Sequence, residues 1–476
     1  MTEELIVAGP VILLTNTTQT RSVIGVLAGS LALLASSCDM RPAVSTGAAV
    51  AKSVATVSVA PQTGPLAITR VNIIDVVDGR ILPNSTVTIR SGVIASVTQN
   101  SAPPADARIV DGQGKFLIPG LWDMHAHMEA TGESALQLNV ANGVTGIRDM
   151  GSELDLILNL RDATSSGRVL GPRIFAAGPI LDDAPDDWPF RMRVRTAEDG
   201  RSAVQMLKRR GVDLIKVHDR TPREAFFAIA DEARRQNLPL AGHVPLRVTV
   251  EEAIDAGQRA IEHLSNLQLW RPCSGGAEYR PEACRPFFEM LARRGVWQTP
   301  TLFALRELST IGTPASTVSA DQLAYASRSV RRLWAESQRL FVTPDVVRAL
   351  TAGAAVGAVV TADMVKAGVG VLAGCDGLIA GFCVHDELAT MVRGGMTPLA
   401  ALQTATLNPA RYFGLQETLG SVTPGHRADL VLLDANPLTD ITNIRRIRAV
   451  VISGRLLDRN DLDNLQAQVE IAAAQP

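Results

Sequence analysis

Histidine is scarce in this chain, seven among 476 residues, so each one can be placed in turn. His125 and His127 stand one residue apart, after the apolar run Phe116-Leu117-Ile118 and the segment Pro119-Gly120-Leu121-Trp122-Asp123-Met124. On a β-strand, residues i and i+2 point to the same face, and two imidazoles on one face can hold one metal ion. Similar groups end other apolar stretches: His243 in Leu240-Ala241-Gly242-His243, His263 in Ala260-Ile261-Glu262-His263 and Asp376 in Leu372-Ala373-Gly374-Cys375-Asp376. Lys216 lies inside Asp213-Leu214-Ile215-Lys216-Val217-His218. Burying an ammonium is costly, and burial lowers its pKa, so such a lysine can become a neutral nucleophile. His218 follows two residues later and should share its face, nearer the mouth of the site, where it is read as a catalytic and substrate-facing group. Nitrogen and oxygen donors without a thiolate suit zinc, with manganese or cobalt as substitutes.

These groups need strands to carry them. Candidate strands fall at residues 116–127, 144–150, 173–177, 214–218, 240–243, 260–263, 296–302 and 369–376, with helical stretches such as 196–210, 222–236 and 281–294 between them. Eight strands alternating with helices predict an α/β fold, a (β/α)8 TIM barrel, in which reactive groups sit at the C-terminal strand ends. The connection after the seventh strand is too long for one helix, and a helical insertion is expected near 306–366. Alternating segments at 66–118 and again at 418–460 predict a small β-sandwich built from both ends of the chain around a barrel at 119–417, with a tail at 461–476. Lys and Arg (46) nearly balance Asp and Glu (48). That argues against a nucleic-acid partner, which favours a basic surface.

The ordered set His-x-His, Lys, His, His, Asp resembles the amidohydrolase superfamily of binuclear type. So do Leu117-Ile118-Pro119-Gly120-Leu121-Trp122-Asp123-Met124-His125-Ala126-His127 and the closing segment Gly425-His426-Arg427-Ala428-Asp429-Leu430-Val431-Leu432. The resemblance covers about residues 66–457. It implies two divalent metal ions, most simply zinc, and a Lys216 that reacts with CO2 to become an N6-carboxylysine carbamate bridging them. It assigns His125, His127, Lys216 and Asp376 to one ion and Lys216, His243 and His263 to the other, with a hydroxide between. Asp376 is then also catalytic, moving a proton from that hydroxide to the leaving group. Lys216-Val217-His218, Gly242-His243-Val244-Pro245 and Gly395-Met396-Thr397-Pro398 resemble the prolidase-like and imidazolonepropionase-like branch. This branch includes dipeptidases, N-acyl amino acid hydrolases and enzymes that release phenylalanine from ochratoxin.

The expected activity is therefore hydrolysis of an amide bond in a small peptide-like or N-acyl amino acid substrate, by a chain expected to form a homo-oligomer. The alternatives are hydrolysis of a lactone, cyclic amide or other ester on the same metals, a mononuclear deaminase, which would leave Lys216 without a task, or a surface binding lipoprotein on an inactive barrel. His385, in Val384-His385-Asp386-Glu387-Leu388, resembles a His-x-Glu-Leu element of prolidase-like relatives, and either contacts substrate or packs a helix entry. Arg148 and Asp149 end the second strand, where a salt bridge is the simpler reading; His426 is read as structural.

Residues 1–38 read as an export signal and 39–65 as a linker. Arg21 precedes an apolar run at 23–35, and Leu34-Ala35-Ser36-Ser37-Cys38 resembles the lipobox of bacterial lipoproteins, which makes Cys38 a lipidation candidate. The acidic Glu3 and Glu4 fit an export signal poorly, and a start nearer Arg21 would explain them. A periplasmic or membrane-anchored location follows, with that lipid as the one contact with the membrane; without the signal the protein is cytoplasmic. Among the remaining cysteines, Cys273 and Cys284 flank a glycine-containing loop and are candidates for a disulfide. Cys375 and Cys383 are expected to be small core residues.

Overall fold

The structure, a computed structural model, describes residues 64–184, 190–264, 279–310, 318–328, 330–332, 335 and 344–475. The readings of residues 1–38, including Cys38, lie outside this set, as does Cys273. Among the described residues, no helix is long and apolar enough to cross a membrane.

The two ends of the chain meet in one eight-stranded sheet. Leu66–Ile74, Ile81–Arg90 and Val93–Gln99 form an antiparallel meander. The second turn, Ser91-Gly92, has both residues at positive φ (50° and 78°), as a tight primed hairpin turn requires. Phe116–Pro119 is the hinge of the arrangement. It runs parallel to Leu66–Ile74 and antiparallel to Leu430–Leu433, with Ile118 opposite Val431, and the sheet continues through Ile447–Ile452 to Arg455–Leu457. Alternate residues such as Ile68, Val87, Leu117, Leu430 and Val451 bury one apolar face.

Phe116–Pro119 passes directly into Leu121–Ala126, the first strand of the central region. That strand lies in a three-stranded parallel sheet with Val144–Asp149 and Arg173–Ala176. A second parallel sheet runs, in spatial order, Arg191–Arg193, Ile180–Asp182, Ile215–Val217, Leu240–Gly242, Gln258–Glu262, Trp297–Thr299 and Gly370–Val371. Backbone hydrogen bonds join the two outer strands of the three-stranded sheet to the second sheet. On one side the Met124 and Asp376 amides donate to the Ala373 and His125 carbonyls, both at 2.8 Å. On the other the Asp213 amide donates to the Ala176 carbonyl at 2.8 Å. Strands buried on both faces explain the near-continuous apolar runs.

Helices follow the strands and are marked locally. Ala197–Arg210 and Val250–Ala256 open on reciprocal caps, Thr196 with Asp199 and Thr249 with Glu252, and close on left-handed Gly211 and Gly257. Between adjacent strands one glycine is obligatory. A Cβ on Gly242 would lie 2.1 Å from the Val217 carbonyl oxygen, and its φ is 129°, so only glycine lets these two ligand-bearing strands approach.

Two expectations change here. Residues 461–476 are not a tail: Arg459–Ala474 is a helix capped by Asp458, with Leu462, Leu465, Val469 and Ala473 buried at helical spacing, and it packs on the helix Ser134–Ala141. Cys375 and Cys383 are not separate small core residues but a disulfide. The chain folds back between them so that the helix Phe382–Arg393 brings Cys383 beside the strand end. Cys284 is disulfide-bonded too. In the region expected as an insertion, Leu302–Thr310 packs against the long helix Pro344–Lys366.

Candidate metal centre

Four of the six predicted ligands lie where central strands end, His125 and His127, His243 and His263; Lys216 is the middle residue of Ile215–Val217, and Asp376 lies five residues beyond the strand Gly370–Val371. One group comprises His125, His127 and Asp376, whose donor atoms all lie within 4.8 Å of one another. The Asp376 Oδ1 is 3.4 Å from His127 Nε2 and 3.9 Å from His125 Nε2, and its Oδ2 is 3.8 Å from His263 Nδ1. A second group comprises His218, Asp219 and His243. The rings connect the two: His125 and His263 have centroids 4.6 Å apart, His263 and His243 4.8 Å, and His243 stacks on His218 at 3.9 Å.

Each ring is turned by a partner. His125 Nδ1 donates to Glu262 Oε2 at 2.8 Å, His127 Nδ1 to the Gly151 carbonyl at 2.8 Å and His243 Nδ1 to Asp219 Oδ1 at 2.9 Å. These acceptors place the proton on Nδ1 and leave the Nε2 lone pair available, the arrangement a metal-binding imidazole needs. His263 Nδ1 is 2.7 Å from Thr301 Oγ1. Burial, then the Lys216 charge, pushes His125 well below the ordinary imidazole range and His127 to about 4. Burial and His243 do the same to His263. Burial likewise lowers Lys216 toward neutrality, against the pull of Glu262 and Asp376, and raises Asp376, which Lys216 partly offsets.

Two buried atoms in this cluster, His125 Nε2 and Asp376 Oδ2, have no hydrogen-bond partner. An unsatisfied buried nitrogen and carboxylate oxygen are expensive in a folded protein. The backbone shows the same bias. His263 and Asp376 both have positive φ, 62° and 50°, as does Thr301 at 49°. Such conformations are costly without glycine and concentrate at functional sites. Neutral imidazoles, a carboxylate and a lysine able to lose its proton fit a divalent-metal centre.

Several residues that position the site carry weaker signals in the sequence. Glu262 precedes His263, and its carboxylate holds His125 while taking two bonds from Arg148 Nη2 at 2.7 and 2.8 Å. Arg148 also donates to the Met124 carbonyl and Thr299 Oγ1, so it is a buried salt-bridge residue. Asp149 accepts from the Met128 amide and Ser152 hydroxyl. Asp123 accepts from the His125 and Cys375 amides at 3.0 Å each. Asp182, 1% exposed, places Oδ2 3.7 Å from His218 Nδ1 and 3.6 Å from Arg191 Nη1. Adjacency to a histidine was the available cue for Glu262 and Asp219; for Asp182 there was none.

His218 is buried against His243 and is part of the cluster. His385 is not brought into it. Its Nε2 donates to the Asn142 carbonyl at 2.9 Å, a contact that fits the helix-entry packing alternative. Two residues on, Glu387 accepts from the Leu302 and Phe303 amides at 3.1 and 2.6 Å, capping the helix that follows Thr301. His426 lies in the terminal sheet, bonded by Nδ1 to Ser421 Oγ at 3.1 Å.

With this geometry in place, the comparisons with known proteins agree. Ochratoxinase of Aspergillus niger is 25% identical over 444 residues, spanning 78% of this chain and 82% of that protein. Among solved structures, a bottromycin amidohydrolase superposes with a TM-score of 0.71 at 25% identity, over 86% of this chain and 91% of that one. The A. niger ochratoxinase structure superposes with a TM-score of 0.63 at 21% identity, over 83% and 96%, and speaks for the fold. The amidohydrolase family profile matches residues 116–457, and this chain belongs to the amidohydrolase family, as a hydrolase acting on carbon–nitrogen bonds.

Proposed function

We propose that the protein is a metal-dependent hydrolase of a small peptide-like or N-acyl amino acid amide, working in a closed (β/α)8 barrel with two divalent ions held by His125, His127, Lys216, His243, His263 and Asp376. The observation that carries this reading is the pair of partnerless buried atoms, His125 Nε2 and Asp376 Oδ2, inside a cluster of neutral imidazoles. Hydrogen bonds across both seams between the parallel sheets support the closed barrel. The names of its relatives, an ochratoxinase and a bottromycin amidohydrolase, support the amide bond.

When bound, the ions supply an activated water and polarise the scissile carbonyl. The chain supplies the rest. Lys216, driven toward its neutral form by burial, adds its Nζ to CO2 and, on losing a proton, carries a carbamate anion. Glu262, the Gly151 carbonyl and Asp219 hold three imidazoles with Nε2 available. Asp376 accepts a proton and returns it to the leaving amine. His218, stacked on His243, borders the substrate. Export, the lipid on Cys38 and homo-oligomerisation remain part of this proposal.

The test combines metal analysis with a panel of dipeptides, N-acyl amino acids and lactones. Two ions per chain and turnover of amides support the reading. One ion per chain with turnover of an amino-purine points to the deaminase alternative, and turnover of lactones alone to the ester alternative.

A further inference from the structure

Asp376 lies between the strand Gly370–Val371 and the helix Phe382–Arg393, and residues 372–381 form neither helix nor strand. Its own backbone is in the left-handed region at φ 50°, which is uncommon outside glycine although aspartate tolerates it better than most residues. The Asp376 amide donates to the His125 carbonyl at 2.8 Å, and the Cys375 amide donates to Asp123 Oδ1 at 3.0 Å. Asp123 also takes the His125 amide at 3.0 Å, so the strand Leu121–Ala126 and the segment that carries Asp376 share one buried carboxylate. Next to it, Gly374 passes so close to His125 that a Cβ would lie 2.8 Å from the His125 backbone nitrogen. These contacts hold the entry to the segment. Its exit is held differently: Cys383, in the first turn of the helix, is bonded to Cys375, and both are 1% exposed.

We propose that the Cys375–Cys383 disulfide is a positioning device for Asp376, closing the loop that carries this ligand so that its carboxylate stays on the His125–His127 side of the centre. The inference rests on the metal-centre reading given above. A cross-link between the two ends of a short loop removes most of its alternative conformations, and the loop in question starts one residue before the ligand. The disulfide is buried, so it acts as a permanent staple and not as a switch that solvent thiols reach in the folded state.

The test uses the full chain as Cys375→Ala/Cys383→Ala, with Cys284→Ala as the control for losing the other disulfide. The serine pair, closer in shape, is read the same way if the alanine pair does not fold. Non-reducing peptide maps with alkylation establish the bond in the wild type. Metal retention against a weak chelator, kcat, KM and far-UV circular dichroism are then compared. The expected result is unchanged circular dichroism, about tenfold or greater loss of retention for one ion and a kcat loss of similar size, with KM nearly constant. The Cys284→Ala protein should keep both ions. The proposal is overturned if the double variant retains metal and kcat within about twofold, or if Cys375 and Cys383 alkylate without prior reduction. A wild type that binds two ions, loses one when the staple is removed and yet cleaves no amide overturns the functional reading and leaves this one standing. A wild type with no metal affinity overturns both.

Discussion

His125 and His243 are each turned by a carboxylate on Nδ1, Glu262 at 2.8 Å and Asp219 at 2.9 Å, yet the two carboxylates live in different surroundings. Glu262 is fully buried and clamped by Arg148, itself fully buried, which in turn bonds the Met124 carbonyl and Thr299. The Asp219 side chain is 14% exposed and lies at the rim, beside the stacked His218 and His243. On one side the group that aims the ligand is also part of the interior structure. On the other it has little to do besides aiming. The same chemical role can therefore be tied to the stability of the whole domain or nearly separated from it. Burial decides which, because a charge left alone in the interior cannot recruit water.

Replacing Lys216 by alanine removes the residue proposed to serve both ions and should have the largest effect. Activity is expected to fall by roughly a thousandfold or more with loss of metal from both sites, measured by kcat/KM and elemental analysis. A variant with full metal content would break the binuclear reading. Asp376→Asn keeps the shape but not the proposed proton acceptor, and a kcat loss on the order of a hundredfold to ten-thousandfold is expected.

The two orienting carboxylates then separate the sides directly. Glu262→Gln leaves Arg148 buried without its counter-charge, and a loss of about 3–5 kcal/mol of stability is expected in denaturant melts. Asp219→Asn should cost roughly tenfold to a hundredfold in metal affinity, with only a small change in the denaturation midpoint. Equal stability losses in the two variants would erase the distinction.

A smaller effect comes from Glu387, whose carboxyl is pushed up from 4.5 to about 8 by burial, against the two amides it accepts. The folded state then holds the proton more tightly than the unfolded chain. This stabilisation is fully present below about pH 4.5 and is lost as pH rises through about 8. Glu387→Gln should flatten the fall in thermal stability across that window. An identical slope in wild type and variant would show that Glu387 is ionised in the fold.

The candidate site was unusually legible because its residues are rare types at strand ends. A lysine inside Ile215–Val217 and histidines closing apolar runs conflict with burial unless they have partners, and such conflicts show up locally. Each of the eight expected strands overlaps an observed one, since apolar runs bounded by helices and turns need no knowledge of neighbours, but Ile180–Asp182 and Arg191–Arg193 were not among them and the strand expected at 369–376 is only Gly370–Val371. Less was legible where the partner is distant in sequence. Arg148 meets Glu262 across 114 positions, and nothing in either segment names the other. Cys375 and Cys383 looked like core residues because proximity in sequence alone does not show that a helix folds back onto the strand end. The helix Arg459–Ala474 is weakly marked in the sequence because its four buried residues are diluted by Gln, Asn and Ala.

The sequence by itself carried the resemblance to the family, and it determined the order of the candidate ligands and the metal chemistry they permit, because side-chain type and the two-residue period of a strand are local properties. It also marked both ends of the chain as β segments. The tertiary structure alone decided that these ends share a single sheet through Phe116–Pro119, that His385 bonds the Asn142 carbonyl, and that a disulfide closes the Asp376 loop. Each of these depends on which surfaces meet after the strands assemble, and that is set by packing summed over the whole chain.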